Sequence, residues 1–128
     1  MTYFYIFSSN IPGMSEIPTS MLKPGATVFR VESASADEIR EMSKTGKLIP
    51  CKGTRMDHWV PQSILRRFGI TVATTTPSKK LEPGDSLVVA EIIGVPLSAF
   101  AATTTEDKEF WEEVIVTSTI FKIFTMGR

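Results

Sequence analysis

The run Cys51-Lys-Gly-Thr-Arg-Met-Asp-His-Trp59 holds the chain's one histidine and leads straight into an apolar stretch that Gly69 closes. Histidine is the side chain that can give or take a proton near neutral pH. A helix start offers unpaired backbone N–H groups and a positive dipole end, both suited to a phosphate. Arg55 adds a planar fork of donors just upstream. A proton donor, a guanidinium and a helix start this close together could serve a phosphodiester. The same residues could also make an ordinary surface loop.

The helix that would position them is read from its apolar spacing. Val60, Ile64, Leu65 and Phe68 share one side, and Gly69 supplies the stop. Pro61 is tolerated only in a first turn, so the helix must begin at His58 or Trp59. That puts His58 at or beside the N-cap. Trp59 has two readings, a π face for a nucleobase or a hydrophobic staple at the helix entrance.

Other chemistries are missing from the sequence. There is no phosphate-cradling glycine loop, no dinucleotide fingerprint and no Cys/His spacing for a metal, so no cofactor or metal is expected. Asp57 adjoins His58 in sequence, which is poor geometry for the acid of a serine triad. Cys51, the lone cysteine, is either a thiol nucleophile or a small apolar filler. Lys79-Lys80 and Arg66-Arg67 are basic pairs that read either as ligand contacts or as solvated charge. Fourteen basic residues balance fourteen acidic ones, so no global field favours a long nucleic acid. A local basic pocket for a small anion stays open.

At 128 residues, 42% apolar and 22% charged, the chain has the size and composition of one globular domain, residues 1–128. It lacks the roughly 18 uninterrupted apolar residues of a membrane span, and its start has no basic leader region. The expectation is a cytoplasmic protein, in the host cytoplasm if viral.

Strands are predicted over residues 3–8, 26–32, 47–52 (broken by Pro50), 70–76, 86–93 and 114–124. Residues 10–25 carry Pro12, Pro18 and Pro24 and read as loop, with at most a helical turn over 15–22. Ser35-Ala-Asp-Glu38 is a capping box for a helix through Lys44 that buries Ile39 and Met42, with Gly46 as a left-handed stop. Residues 81–85, Leu-Glu-Pro-Gly-Asp, form a tight turn. Thr103 and Glu106 cap a last helix through Glu113. The fold class expected is α+β, a mixed, mostly antiparallel sheet with about three short helices.

This order of elements resembles the viral and prokaryotic type III anti-CRISPR ring nucleases, which bind cyclic tetra-adenylate and cut it. Residues 5–10, Tyr-Ile-Phe-Ser-Ser-Asn, resemble that family's first strand and its Asn-containing loop. Residues 53–69 resemble its glycine–histidine loop and glycine-closed helix. Residues 81–89 resemble its acidic turn and next strand, and residues 112–124 its closing strand. The resemblance implies a homodimer with a symmetric ligand on the two-fold axis. It implies that His58 protonates the departing 5′-oxygen as the 2′-hydroxyl attacks its own 3′-phosphate, leaving a 2′,3′-cyclic phosphate. Arg55 and helix-start N–H groups would stabilise the transition-state charge. Ser9, Asn10, Gly53, Thr54, Asp57, Trp59, Lys79 and Lys80 are the expected ligand contacts.

Two departures bear on this. The family places an arginine and a glutamate after its penultimate strand, where this chain has Gly94-Val-Pro-Leu-Ser-Ala99. The family's histidine also directly follows its glycine, whereas Thr54 to Asp57 intervene here. The reading is therefore a counter-defence protein of a virus or mobile element that holds a cyclic oligonucleotide, by sequestration or by metal-independent cleavage. The alternative is a protein–protein interaction module without a nucleotide, in which Arg55, His58 and Trp59 form the interface.

Overall fold

Tyr3 and Phe4, adjacent in the first strand, are both fully buried but belong to different apolar clusters. Successive strand side chains point to opposite faces, so one sheet separates two cores. The computed structural model describes residues 1–9, 21–51, 58–73, 80–95, 97–101 and 104–127. In chain order its elements are β1 (Thr2–Ser9), β2 (Thr27–Ala34), α1 (Ala36–Thr45), β3 (Ile49–Pro50), α2 (Trp59–Phe68), β4 (Ser86–Ile93), a 3-10 helix (Leu97–Ala101), α3 (Thr105–Ser118) and β5 (Thr119–Gly127).

The sheet order is β2-β5-β4-β1-β3. β1 is parallel to both its neighbours, β3 and β4, while β5 is antiparallel to β4 and to β2. This is the mixed sheet with three α-helices that the sequence led us to expect. Central β4 has buried residues on both faces, as its near-continuous apolar run requires.

All three helices contribute to the first face. Ile39 of α1, Val60 and Ile64 of α2, and Ile115 of α3 pack with Phe4, Val88, Ala90, Ile92 and Phe121. The second face gathers Tyr3, Leu87, Val89, Phe124 and Met126, with Cys51 and Leu81. The turn before β4 closes by Asp85 N–H to the Glu82 carbonyl, and Gly84 takes a positive φ of 93° that suits glycine.

Several local expectations are corrected. Ser35 caps α1 by accepting from the Glu38 N–H at 3.2 Å, but Gly46 is extended (φ −163°), not left-handed. In α1, Ile39 is fully buried and Met42 only partly so. The strand expected over 47–52 shrinks to β3, two residues on the sheet edge that end at Pro50, an edge being where a missing N–H is tolerated. The strand expected over 70–76 reduces, among described residues, to a bridge between Leu48 and Val72; residues 74–76 lie outside them. The cap of α3 is Thr104 accepting from Asp107 N–H, one residue later than expected.

The largest correction is at residues 114–118, expected as strand and found as the last turn of α3. Their β-branched run favours strand intrinsically. Burial of Ile115 in the first core, with the Thr117 hydroxyl donating to the Glu113 and Val114 carbonyls, outweighs that preference. Residues 10–20, including the helical turn expected there, lie outside the described residues.

Candidate functional site

His58 is the N-cap of α2, as the placement of Pro61 demanded. Its backbone is extended (φ −78°, ψ 150°), and its Nδ1 accepts the Val60 N–H at 3.3 Å. A ring nitrogen that accepts keeps its lone pair, so the neutral imidazole carries its hydrogen on Nε2. The half-buried ring lies beside Trp59, with centroids 6.0 Å apart and planes at 29°, and 6.5 Å from the ring of Phe100. At the other end Gly69 is left-handed (φ 70°), and the Ile70 N–H returns to the Leu65 carbonyl.

This cap changes what the helix start can do. The Val60 N–H is occupied by His58, and Pro61 has no N–H to give. Two of the first-turn donors that a phosphate would use are therefore gone. The phosphate-binding part of the expectation rests on Arg55 more than on backbone donors.

Beside His58, the Trp59 indole N–H is buried and, among the described residues, meets no acceptor. An unpaired buried donor costs about 1–3 kcal/mol. Trp59 also lines a groove of about 450 Å³ between α2 and α3, together with Gln62, Ser63, Arg66, Lys108 and Glu112. The floor of this groove is an ion-pair cluster. Arg66 reaches both oxygens of Glu112 at 2.6 and 2.7 Å, Arg67 reaches it at 3.2 Å, and the Ser63 hydroxyl donates to it at 3.3 Å. Arg67 also pairs with Glu113 at 2.6 Å. Hydrogen bonding from Arg66 holds the Glu112 carboxyl below its usual range. Arg66 and Arg67 thus join α2 to α3 and are not simply solvated charge.

The sheet has its own candidate region. β1 lies between two parallel neighbours, and the chain continues from their carboxyl ends. After β1 it re-enters the described structure at Met21 and Leu22, which pack against the second-face cluster. After β3 it enters α2, and after β4 it passes through Val95 and Ala99, all on the first face. The carboxyl ends of parallel strands are where ligands bind in open sheets. Ser9 ends β1 there, opposite Ile93. The chain from Ile93 leads through Gly94 and Val95 to the 3-10 helix carrying Phe100, the ring beside His58.

Of the expected site residues, the structure brings His58 and Trp59 together at the α2 start and puts Ser9 at the carboxyl end of β1. Lys80 is exposed and precedes Leu81, which packs in the second-face cluster, across the sheet from α2. Asn10, Gly53, Thr54, Arg55, Asp57 and Lys79 lie outside the described residues. Cys51 is buried, and burial pushes its thiol up to about 12, so it is the apolar filler and not the nucleophile.

Sequence reasoning missed two features. One is Phe100. The other is Glu91, fully buried on central β4, with Lys122 Nζ of β5 3.1 Å from Oε2. That approach is close enough for strong attraction, and among the described residues neither carboxylate oxygen has a directed hydrogen bond. A Glu inside Leu87-Val-Val-Ala-Glu-Ile-Ile93 and a Lys inside Ile120-Phe-Lys-Ile-Phe124 were the available signal, since strands this apolar rarely bury a charge unpaired.

No protein-family model matches the chain, and no curated protein matches it in sequence. Among solved structures its fold is similar to B116 of Sulfolobus turreted icosahedral virus, with a TM-score of 0.52 and 16% identity over 96% of this chain and 98% of that one. At that identity the likeness shows the fold alone: a small viral α+β protein shares nearly the whole architecture. Among the described residues no helix is long and apolar enough to cross a membrane.

Proposed function

We propose that this chain binds a cyclic oligonucleotide messenger of the cyclic oligoadenylate type and sequesters it, as a counter-defence protein of a virus or mobile element. The observation that carries the reading is the α2 start, where His58 caps the helix through Nδ1, keeps Nε2–H as a donor, and has the rings of Trp59 and Phe100 at 6.0 and 6.5 Å. Aromatic faces and a ring N–H are the groups that hold a base and a ribose-phosphate edge. Arg55 supplies the cation for a phosphate, and Ser9, Asn10, Gly53, Thr54 and Asp57 complete the contacts from the neighbouring chain segments. The viral protein of like fold supports the setting and not the ligand.

Sequestration is favoured over cleavage by the same hydrogen bond. A histidine that protonates a leaving oxygen starts as the cation, with N–H on both ring nitrogens. That form cannot accept the Val60 N–H, so each catalytic cycle would uncap α2. The arginine and glutamate of the ring nucleases are also missing after β4. A dimer around a symmetric ligand fits this reading.

Thermal melting with a panel of cyclic oligoadenylates, with chromatography of each mixture, is the test. Stabilisation by one ring size with the ligand recovered intact is the expected result. A linear product that disappears in His58→Asn would turn the reading to a metal-independent ring nuclease. No shift with any ring would favour the interaction module, in which Arg55, His58 and Trp59 form the interface. The final strand offers that module little, because Phe121, Phe124 and Met126 of β5 are buried.

A further inference from the structure

The two edges of the sheet are built differently. At one edge β3 is two residues long, carries Pro50, and is covered at Leu48 by backbone hydrogen bonds with Thr71 and Ala73. These are the devices that stop an edge strand from pairing further. At the other edge β2 is eight residues long and is exposed from Thr27 to Ser33, with β5 on one side only. Val28 is 40% exposed, Phe29 75% and Val31 50%. A long apolar edge whose outer row of backbone donors and acceptors pairs with no other strand among the described residues is a template for another strand.

We propose that β2 pairs antiparallel with β2 of a second copy of this chain, about a two-fold axis at Val31. The argument for that occupant is the charge pattern. The strand reads Thr27-Val-Phe-Arg-Val-Glu-Ser-Ala34, and its only charges, Arg30 and Glu32, flank Val31 symmetrically. Antiparallel pairing centred on Val31 sets Arg30 against Glu32 of the second copy, and Glu32 against its Arg30. Opposite charges directly across a strand pair stabilise it and like charges oppose it, so this register is self-complementary. Pairing displaced by one residue loses both contacts and turns Val31 away from its counterpart.

Within one chain Arg30 and Glu32 already form an exposed ion pair. Exchanging two internal pairs for two crossed ones changes the energy little, so these charges set register and partner choice. Affinity comes from the backbone hydrogen bonds and from burying Val28, Phe29 and Val31. The bulge between Val28 and Arg30 meets residues 33 and 34 of the other copy, so the regular ladder runs over Arg30 to Glu32 of each chain. The inference does not rest on the nucleotide reading, since the edge exists whether or not a ligand binds.

The test is light scattering after size exclusion, over a dilution series, on the full chain and on Arg30→Glu, Glu32→Arg and the double exchange. Each single reversal places two like-charge pairs across the axis and should weaken the dimer by on the order of tenfold; the double exchange should restore it. In a second measurement, Val31→Cys is oxidised with copper phenanthroline. Across an antiparallel pair the Cα atoms are about 4.5–5.5 Å apart, within disulfide range, and Cys51 is buried, so a dimer cross-linked through residue 31 is expected. A chain that stays monomeric, or a dimer indifferent to the reversals and uncross-linked at residue 31, overturns the proposal.

Discussion

His58 carries two duties that substitution can separate. As N-cap it accepts the Val60 N–H, and as a ring it packs beside Trp59 and Phe100. His58→Ala should cost about 1 kcal/mol of stability through the lost cap, whereas His58→Asn keeps a capping acceptor and should unfold close to the parent. Denaturant unfolding of both variants checks this, and equal losses would mean that the ring's packing matters more than its cap. Cys51 offers a separate test. Its thiol is raised to about 12 by burial, from an ordinary 9, so the folded chain holds the proton where the unfolded chain releases it. Stability from this group is complete below about pH 9 and falls as pH rises toward 12. Replacing Cys51 with Ala should flatten the loss between about pH 9 and 10, below the range in which Tyr3 and Tyr5 ionise, since burial raises both. At this scale the sequence was informative where sterics allowed one answer. Pro61 fixed the helix start and so the cap, but no sterics pointed to Phe100, which meets His58 only through the tertiary fold.

At the scale of elements, α2 and α3 are joined by Glu112. Both its oxygens take Arg66, and Arg67 and Ser63 add further contacts. Because the folded carboxyl is held below its usual range, chiefly by hydrogen bonding from Arg66, this contribution is present near neutrality and is lost as pH falls through the lowered value. Glu112→Gln should lower stability at pH 7 by about 1 kcal/mol and have much less effect in acid, because the arginines are largely exposed. Thermal melts of the two proteins across acid and neutral pH measure the difference. The helix ends show where sequence reading succeeds and where it fails. Caps are local, so Ser35 was found and the cap of α3 missed by one residue within a threonine run. The end of α3 is decided by Ile115 finding the first-face core, a contact that no local pattern around residues 114–118 contains.

For the whole molecule, composition and element order were enough for a mixed α+β sheet, but strand order was not legible. Placement of β1 between parallel β3 and β4 depends on pairings far apart in sequence. That placement sets Ser9 beside Ile93 at the carboxyl ends of β1 and β4, from which the chain runs toward Phe100, the end where we propose the ligand binds. Lys80, sequence-adjacent to nothing in the His58 loop, was grouped with it by charge alone, and the fold puts its segment across the sheet. The central claim is that this end of the molecule holds a cyclic oligonucleotide without cutting it. Calorimetric titration of the full chain with cyclic tetra-adenylate and its larger rings, followed by recovery of the ligand, tests it most directly. The account predicts saturable heat with one ring size, loss of that heat in His58→Asn at unchanged stability, and intact ligand at the end. A folded protein that gives no heat with any ring, or a ligand recovered as linear product, would contradict it.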